Sequence, residues 1–543
     1  MLFNSFEFIA VFLPLTLAVF FVLGHLASRR VAIAWLVFAS LFFYGWWRPE
    51  YVLLLAGSIV FNFWLGNRLA DGAGRAVLIF AVAVNLALLG YFKYTIFVLD
   101  SFNLLTGAEI TLPAIVLPLA ISFFTFQQIA YLADAHFGIA RERSFPEYCL
   151  FVCFFPQLIA GPIVHHREML PQFQRAATFR PKAENIAVGA TIFAIGLFKK
   201  AVVADGIAVY ADAAFNAAGG GEPLTVLAAW GGAIAFTLQI YFDFSGYTDM
   251  AIGLARMFGI RLPLNFNSPY KAASIIDFWA RWHMTLTRFL TAYVYNPVAM
   301  SLTRRRIAQG KGAPGKGRFD AGSFAAVVAL PTVLTMFLAG VWHGAGFQFM
   351  VYGLLHGAYL VVNHGWRAVC KGTVLGRPHV ARALRPMYFL LTFVAVVVSL
   401  TVFRAQSTDQ AVEMLRGMAG LNGLVLPNLA LAVLGERLAG LLAFVSFGDV
   451  PYFSAQQWFW LALLLAFVWL LPNTQEWLAR YGTGTRAVRR DSWVGLGRLL
   501  VADRWLGAWR PSMTCGVFVG GVLCFALMQA LSQTPAEFVY FRF

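Results

Sequence analysis

The stretch FIAVFLPLTLAVFFVLGHLA, Phe8 to Ala27, decides the fold class. It carries no charged residue. In a helix, at about 1.5 Å per residue, it crosses the roughly 30 Å hydrocarbon core of a bilayer. Apolar runs near that length recur at Val31–Trp47, Val77–Tyr91, Ile115–Ala133, Val188–Phe198, Leu227–Tyr241, Phe324–Leu338, Tyr388–Phe403, Trp458–Leu471 and Cys515–Leu531. The 543 residues are 60% hydrophobic and 12% charged, against about 25% charged in soluble domains. In lipid every backbone N–H and C=O needs an internal partner, which leaves helices or closed barrels. A barrel would show short alternating strands, whereas these runs are apolar on all sides. The sequence therefore predicts an all-α, polytopic transmembrane bundle of about 10 to 13 spans.

The first run has no basic segment before it, and Glu7 precedes it. It reads as a retained helix rather than a cleaved signal peptide. The net charge of +16, from 41 basic and 25 acidic residues, reads as the basic excess of cytoplasmic loops and not as a nucleic-acid surface. Arg29-Arg30, Lys199-Lys200, Arg304-Arg305-Arg306 and Arg489-Arg490 all flank apolar runs. With Arg29-Arg30 in the cytoplasm, the N-terminus lies outside. The five cysteines form no CxxC pattern and no paired framework. Cys149 and Cys153 share a helix face and read as packing residues.

One membrane domain, 1–543, is expected. Basic or polar stretches interrupt it at Leu302–Asp320, Val369–Arg385 and Thr474–Pro511, the last suited to the headgroup layer. No internal repeat is visible, which argues against a transporter built from repeated halves. Ser274–Pro297 (SIIDFWARWHMTLTRFLTAYVYNP) holds Asp277, Arg281, His283 and Arg288. That is too polar for a lipid-facing span, and it reads as an interfacial or re-entrant helix.

Several familiar chemistries are excluded. GKGAPGKG (Gly310–Gly317) nearly matches a phosphate-binding loop, but no Ser or Thr follows Lys316 and no strand precedes it. There is no GxSxG elbow, no HEXXH helix, and none of the nine histidines begins an HxxxxD arrangement. No metal site is expected.

Two histidines remain. His283 lies in FWARWHMTLTRF, and His343 ends an apolar run in LAGVWHGAGFQF. Ionisable residues at membrane depth are costly and mark function by default. A hydrogen-bonded packing histidine is the alternative for each. Gly340, Gly344 and Gly346 around His343 suggest room for a substrate. A neutral imidazole is also a natural general base for a hydroxyl. A third cluster, LQIYFDFSGYTDMAIGLARMFG, places Gln239, Asp243 and Tyr247 on one helix face, with Asp249 nearby. Its carboxylates would orient an imidazole, pair with Arg256 or Arg281, or simply join helices.

At these residues the chain resembles the membrane-bound O-acyltransferase (MBOAT) family, in the bacterial branch of alginate O-acetylation and teichoic-acid D-alanyl transfer proteins. Collinear matches cover almost the whole chain: MLFNSFEFIAVFLPL, LPLAISFFTFQQIAYLAD, FFPQLIAGPI, GLFKKAVVAD, YFDFSGYTDMAIGLARMFGIRLPLNFNSPY, DFWARWHMTLTRFL, GVWHGAGFQFMVYGLLHG, FRAQSTDQA, LPNTQE and FVYFRF. The resemblance implies that the invariant histidine is His343, at the bottom of a funnel, and that the second polar position is His283. It implies an acyl donor on the cytoplasmic side and an acceptor outside. The FxYxxF motif of a separate partner in the D-alanyl branch falls here on Phe538, Tyr540 and Phe543, in the tail 533–543, making Tyr540 a candidate acyl relay. One departure is clear: where alginate-type members read close to RDYLYIPLGG, this chain reads TAYVYNPVAM (Thr291–Met300), which leaves the acceptor polymer open.

The expected function is an O-acyltransferase of the inner membrane. Acetyl-CoA docks near the basic loops. His343 acts as base, His283 assists, and Asp243, Gln239, Asp277 and Arg281 form a supporting network. A periplasmic SGNH-type transferase partner completes transfer to an exported polysaccharide. D-alanyl transfer is the alternative within the class. A transporter, channel or structural scaffold is the alternative outside it.

Overall fold

The fold is set by long apolar helices whose few polar residues turn inward. A computed structural model of the chain describes residues 1–311, 320–427, 446–448, 451–452, 454–485, 509–532 and 538–539. Among them, eight helices are long and apolar enough to cross a membrane. These are Glu7–Leu26, Glu50–Ala70, Arg75–Thr106, Ala183–Gly219, Val226–Met257, Ala321–His343, Arg385–Arg404 and Met513–Ser532. Arg29–Gly45, Phe347–Cys370 and the shorter Ala455–Leu470 pack beside them. A single parallel strand pair, Val425–Pro427 with Ser446–Gly448, is the only β-structure among the described residues. The expectation of an all-α, multi-pass membrane protein is met.

Local signals place the ends. Ser28 caps Arg29–Gly45 by accepting from the Val31 N–H, and Gly107, at φ 72°, closes Arg75–Thr106 in the left-handed region that glycine tolerates best. Asn473 and Glu476 form a reciprocal capping box.

The centre of the bundle is the crossing of Ala183–Gly219 with Val226–Met257. A Cβ on Gly189 would sit 2.6 Å from the Gly253 carbonyl oxygen, and one on Gly196 would sit 2.6 Å from that of Gly246. The reverse positions are as tight, 2.5 Å for Gly253 and 2.8 Å for Gly246. Small residues let backbones approach where lipid gives no hydrophobic drive between helices. Val226–Met257 is buried along nearly its whole length.

Two expectations change here. Lys199-Lys200 does not flank a loop. It opens a π-helical turn, Lys199–Ala204, inside one continuous helix. Lys199 pairs with Asp249 at 2.7 Å, and Lys200 with Asp205 and Asp243 at 2.7 and 2.8 Å. Buried lysines need such partners, so the basic pair belongs to the core and not to the cytoplasmic charge count. Ser274–Pro297 is not one helix either. It breaks into Ile275–Trp279, Met284–Leu290 and a π-turn Thr291–Tyr295, with His283 at φ 42° between the first two. The polar side chains that made the segment look interfacial draw it into these turns: Arg281 binds Asp277 at 2.9 Å, and Arg288 clamps Glu168 at 2.5 and 2.8 Å.

The glycine crossing gives a stability test. Gly246→Val should cost about 1–3 kcal/mol or more by overpacking, read as a fall in the thermal midpoint of the detergent-purified protein. Gly206→Ala, on the same bundle but with nothing within 4 Å of the new Cβ, should hold or raise it.

Candidate active site

His343 is the last residue of Leu330–His343 and is buried. Its ring lies against Trp342, Tyr352 and Phe403, with centroids 5.1, 5.9 and 5.3 Å away. The histidine also borders a cavity of about 360 Å³, whose wall includes Tyr44, Arg48, Tyr51, Lys93, Ser122 and Trp342.

The glycines around His343 do not make that room. A Cβ on Gly340 would strike the Phe349 carbonyl oxygen at 2.2 Å, and one on Gly344 would strike the Phe349 ring at 2.1 Å. One on Gly346 would meet the Gln348 side chain at 2.5 Å. Their missing side chains are filled by Phe347–Cys370, which packs directly against this helix. The cavity comes instead from the 116–123 segment and the end of Arg29–Gly45.

His283 is fully buried behind a different set of contacts. Its Nδ1 lies 3.0 Å from Asn265 Oδ1, an oxygen that also accepts from the Thr285 backbone N–H and hydroxyl. With the oxygen committed to donors, Nδ1 is assigned as the donor and Nε2 keeps its lone pair. Nε2 is buried and has no hydrogen-bond partner among the described residues. Trp342 lies against both histidines, 6.2 Å from the His283 ring by centroid. His343 is on the cavity wall and His283 is not.

The carboxylates pair otherwise than with Arg256 or Arg281. Asp243 binds Lys200, while Asp249 binds Lys199, the Thr474 hydroxyl and the Gln475 amide. Arg256 reaches Glu184 at 3.4 Å, and Asp277 binds Arg281 within its own turn. Helix geometry explains this: the close crossing delivers the two lysines to the two aspartates before any arginine can reach them. Asp243 also accepts the Val539 backbone N–H at 3.0 Å. Phe538 packs on Phe244 and Tyr247, and Phe244 packs edge-on against His283 at 4.8 Å. Phe538 and Val539 thus sit against the central helix Val226–Met257. Tyr540 and Phe543 lie outside the described residues. Gln239 and Val539 share the wall of a second cavity, about 480 Å³, with Lys93, Gln348, Phe349 and Arg404.

Lys93 was missed in the sequence. A lone lysine in NLALLGYFKYTIFVLD is the signal that could have found it. It lines both cavities, and its Nζ donates to the carbonyl oxygens of Trp342 and His343 at 2.5 and 3.0 Å. His356 was also passed over, and its bonds are structural. Its Nδ1 accepts from Trp279 Nε1 at 3.2 Å, and its Nε2 lies 2.9 Å from the Ser399 hydroxyl.

Asp134, His165 and His166 place donor atoms within 4.8 Å of one another, beside a third cavity of about 390 Å³. His165 Nδ1 accepts the Arg167 N–H at 3.3 Å, which puts the ring proton on Nε2 and directs it to Asp134 at 2.7 Å. Tyr293 also binds that carboxylate, at 3.0 Å. Asp134 thus joins His165 and Tyr293, while His166 Nδ1 lies 3.6 Å from the same carboxylate. Ala292 and Tyr293, from the stretch where this chain departs from the alginate-type pattern, line this cavity.

Comparison with known proteins fits this geometry. The family model described as MBOAT, membrane-bound O-acyltransferase family, matches residues 135–309. A peptidoglycan O-acetyltransferase of Helicobacter pylori is 40% identical over 460 residues, covering 79% of this chain and 82% of that protein. The chain belongs to the membrane-bound O-acyltransferase family. A probable alginate O-acetylase of Pseudomonas aeruginosa is 36% identical over 82% of both chains. A teichoic acid D-alanyltransferase of Bacillus subtilis is 30% identical over 44% of this chain and 56% of its own. This MBOAT protein is an O-acyltransferase.

The bonds of His356 mark it as a packing histidine of the MBOAT core, and substitution should show it. His356→Ala strands the Trp279 N–H and should cost about 1–3 kcal/mol. The expected result is a lower thermal midpoint with acyl transfer per folded molecule retained.

Proposed function

We propose that this MBOAT protein passes an acetyl group from acetyl-CoA on the cytoplasmic face to an exported polysaccharide outside, within the inner membrane of its cell. The observation that carries the reading is His343: a buried imidazole at a helix end, bordering a 360 Å³ cavity rather than lipid. Similarity to O-acetyltransferases over 79% and 82% of this chain, against 44% for the D-alanyltransferase, favours acetyl over D-alanyl.

Sidedness rests on charge. Arg29, which binds Glu147, and the Arg141 and Arg143 pair on Asp71 mark one face. The opposite turn, 107–120, holds Glu109 and no Lys or Arg. By the positive-inside rule the first face is cytoplasmic. The third cavity, with Arg167 and Arg288 on its wall, lies on that face and is the entry assigned to the donor.

In the chemical step the His343 imidazole takes the proton of an attacking hydroxyl. The oxygen bonds to the thioester carbonyl carbon and an oxyanion forms. It collapses as the C–S bond breaks, and the proton passes to the leaving thiolate. The attacking hydroxyl is Tyr540, which directly follows Val539, a residue on the second cavity's wall. The acetyl-tyrosine then serves a periplasmic SGNH-type transferase, which moves the acetyl group to a sugar hydroxyl. His283, through its free Nε2 lone pair, assists the proton transfer. Asp243 with Lys200 holds the tail, and Gln239 shares its cavity.

Mass analysis of the exopolysaccharide and cell-wall sugars tests this. His343→Ala should abolish O-acetylation with normal membrane abundance, and Tyr540→Phe should do the same. Wild-type acetylation in His343→Ala would remove the assignment.

A further inference from the structure

We propose that Lys93 is the oxyanion donor of the acyl-transfer step, a role that rests on the His343 reading above. Lys93 comes from the middle of Arg75–Thr106, one of the most apolar helices in the chain. A charge at that depth is costly unless it is partnered or used. Lys199 and Lys200, in the core, are neutralised by Asp249, Asp205 and Asp243. Two further lysines are held by backbone carbonyls instead: the buried Lys271 by that of Leu471 at 2.6 Å, and Lys93 by those of Trp342 and His343. Of the two, Lys93 lines the cavities. Carbonyl dipoles orient its nitrogen without pairing it to a carboxylate, which keeps it available as a donor to an anion.

Its position suits that anion. An ammonium has three N–H donors, and two are spent on the carbonyls. The nitrogen sits on the shared boundary of the cavity bordered by His343 and the cavity bordered by Val539. A thioester held at His343 and a hydroxyl carried beside Val539 meet next to this group. As the hydroxyl oxygen adds, the carbonyl oxygen takes up the negative charge, and the third N–H of Lys93 donates to it. On collapse the electron pair returns to re-form C=O, the thiolate leaves, and Lys93 keeps its proton throughout. Because the two carbonyl bonds fix the ammonium beforehand, little reorganisation is needed when charge develops.

A purely structural role is the rival, since Lys93 also satisfies carbonyls at the C-terminal end of Leu330–His343. The two separate in kinetics. Membranes containing the full chain, the periplasmic transferase partner and the cell's exopolysaccharide are supplied with radiolabelled acetyl-CoA, and initial rates are measured for wild type, Lys93→Met, Lys93→Arg and His343→Ala. The oxyanion role predicts that Lys93→Met loses about 10²–10³-fold in kcat, with KM for acetyl-CoA within about threefold and Lys93→Arg partly rescued. A cap role predicts a lowered thermal midpoint with kcat per folded molecule kept. Near-normal kcat in folded Lys93→Met, beside a dead His343→Ala, overturns the role of Lys93 alone. An active His343→Ala overturns the underlying reading instead.

Discussion

The structure depends on putting two lysines and three aspartates, Asp205, Asp243 and Asp249, at a helical crossing that lipid surrounds. Lys199 and Lys200 meet Asp249 and Asp243 at 2.7 and 2.8 Å. Removing one partner of such a buried pair strands the other charge, at about 3–5 kcal/mol. The pairs are possible because glycines at 189, 196, 246 and 253 bring the backbones into contact. The π-turn at Lys199–Ala204 widens the helix where both lysines must face the same neighbour. Such turns recur at functional sites, and this one holds the carboxylate that receives the Val539 N–H of the tail.

Hydropathy made the membrane class legible, because an apolar run of bilayer length has few other uses. His283 and His343 stood out for the complementary reason, since imidazoles in such runs are expensive. What the sequence hid was pairing. Lys199-Lys200 looks like a loop signal because a linear reading cannot see Asp243 and Asp249 arriving from a helix more than forty positions away. Asp243 and Arg281 looked like partners for the same reason, yet Arg281 closes on Asp277 four residues back. Lys93 escaped notice because a single basic residue hardly alters the hydropathy of a long helix.

The glycines near His343 teach a related point. Small residues beside a reactive group signal space, but the space here is taken by Phe349, Gly353 and Gln348 of the adjoining helix. They place two helix backbones in contact and so fix the direction in which Leu330–His343 ends. The open volume lies on the far side of the imidazole, beneath the 116–123 segment. Rigidity on one side and room on the other suit a general base, whose efficiency falls when its position wanders.

That arrangement also explains why one residue can serve two chambers. His343 belongs to the first cavity and Val539 to the second, and Lys93 and Leu117 are common to both. Both cavities are walled by the 115–121 stretch, so they lie toward one face of the bundle. The nitrogen on their common boundary is held by two backbone carbonyls. A donor fixed in this way can meet an oxygen on which negative charge builds without first reorganising, which is the condition an electrostatic catalyst must satisfy.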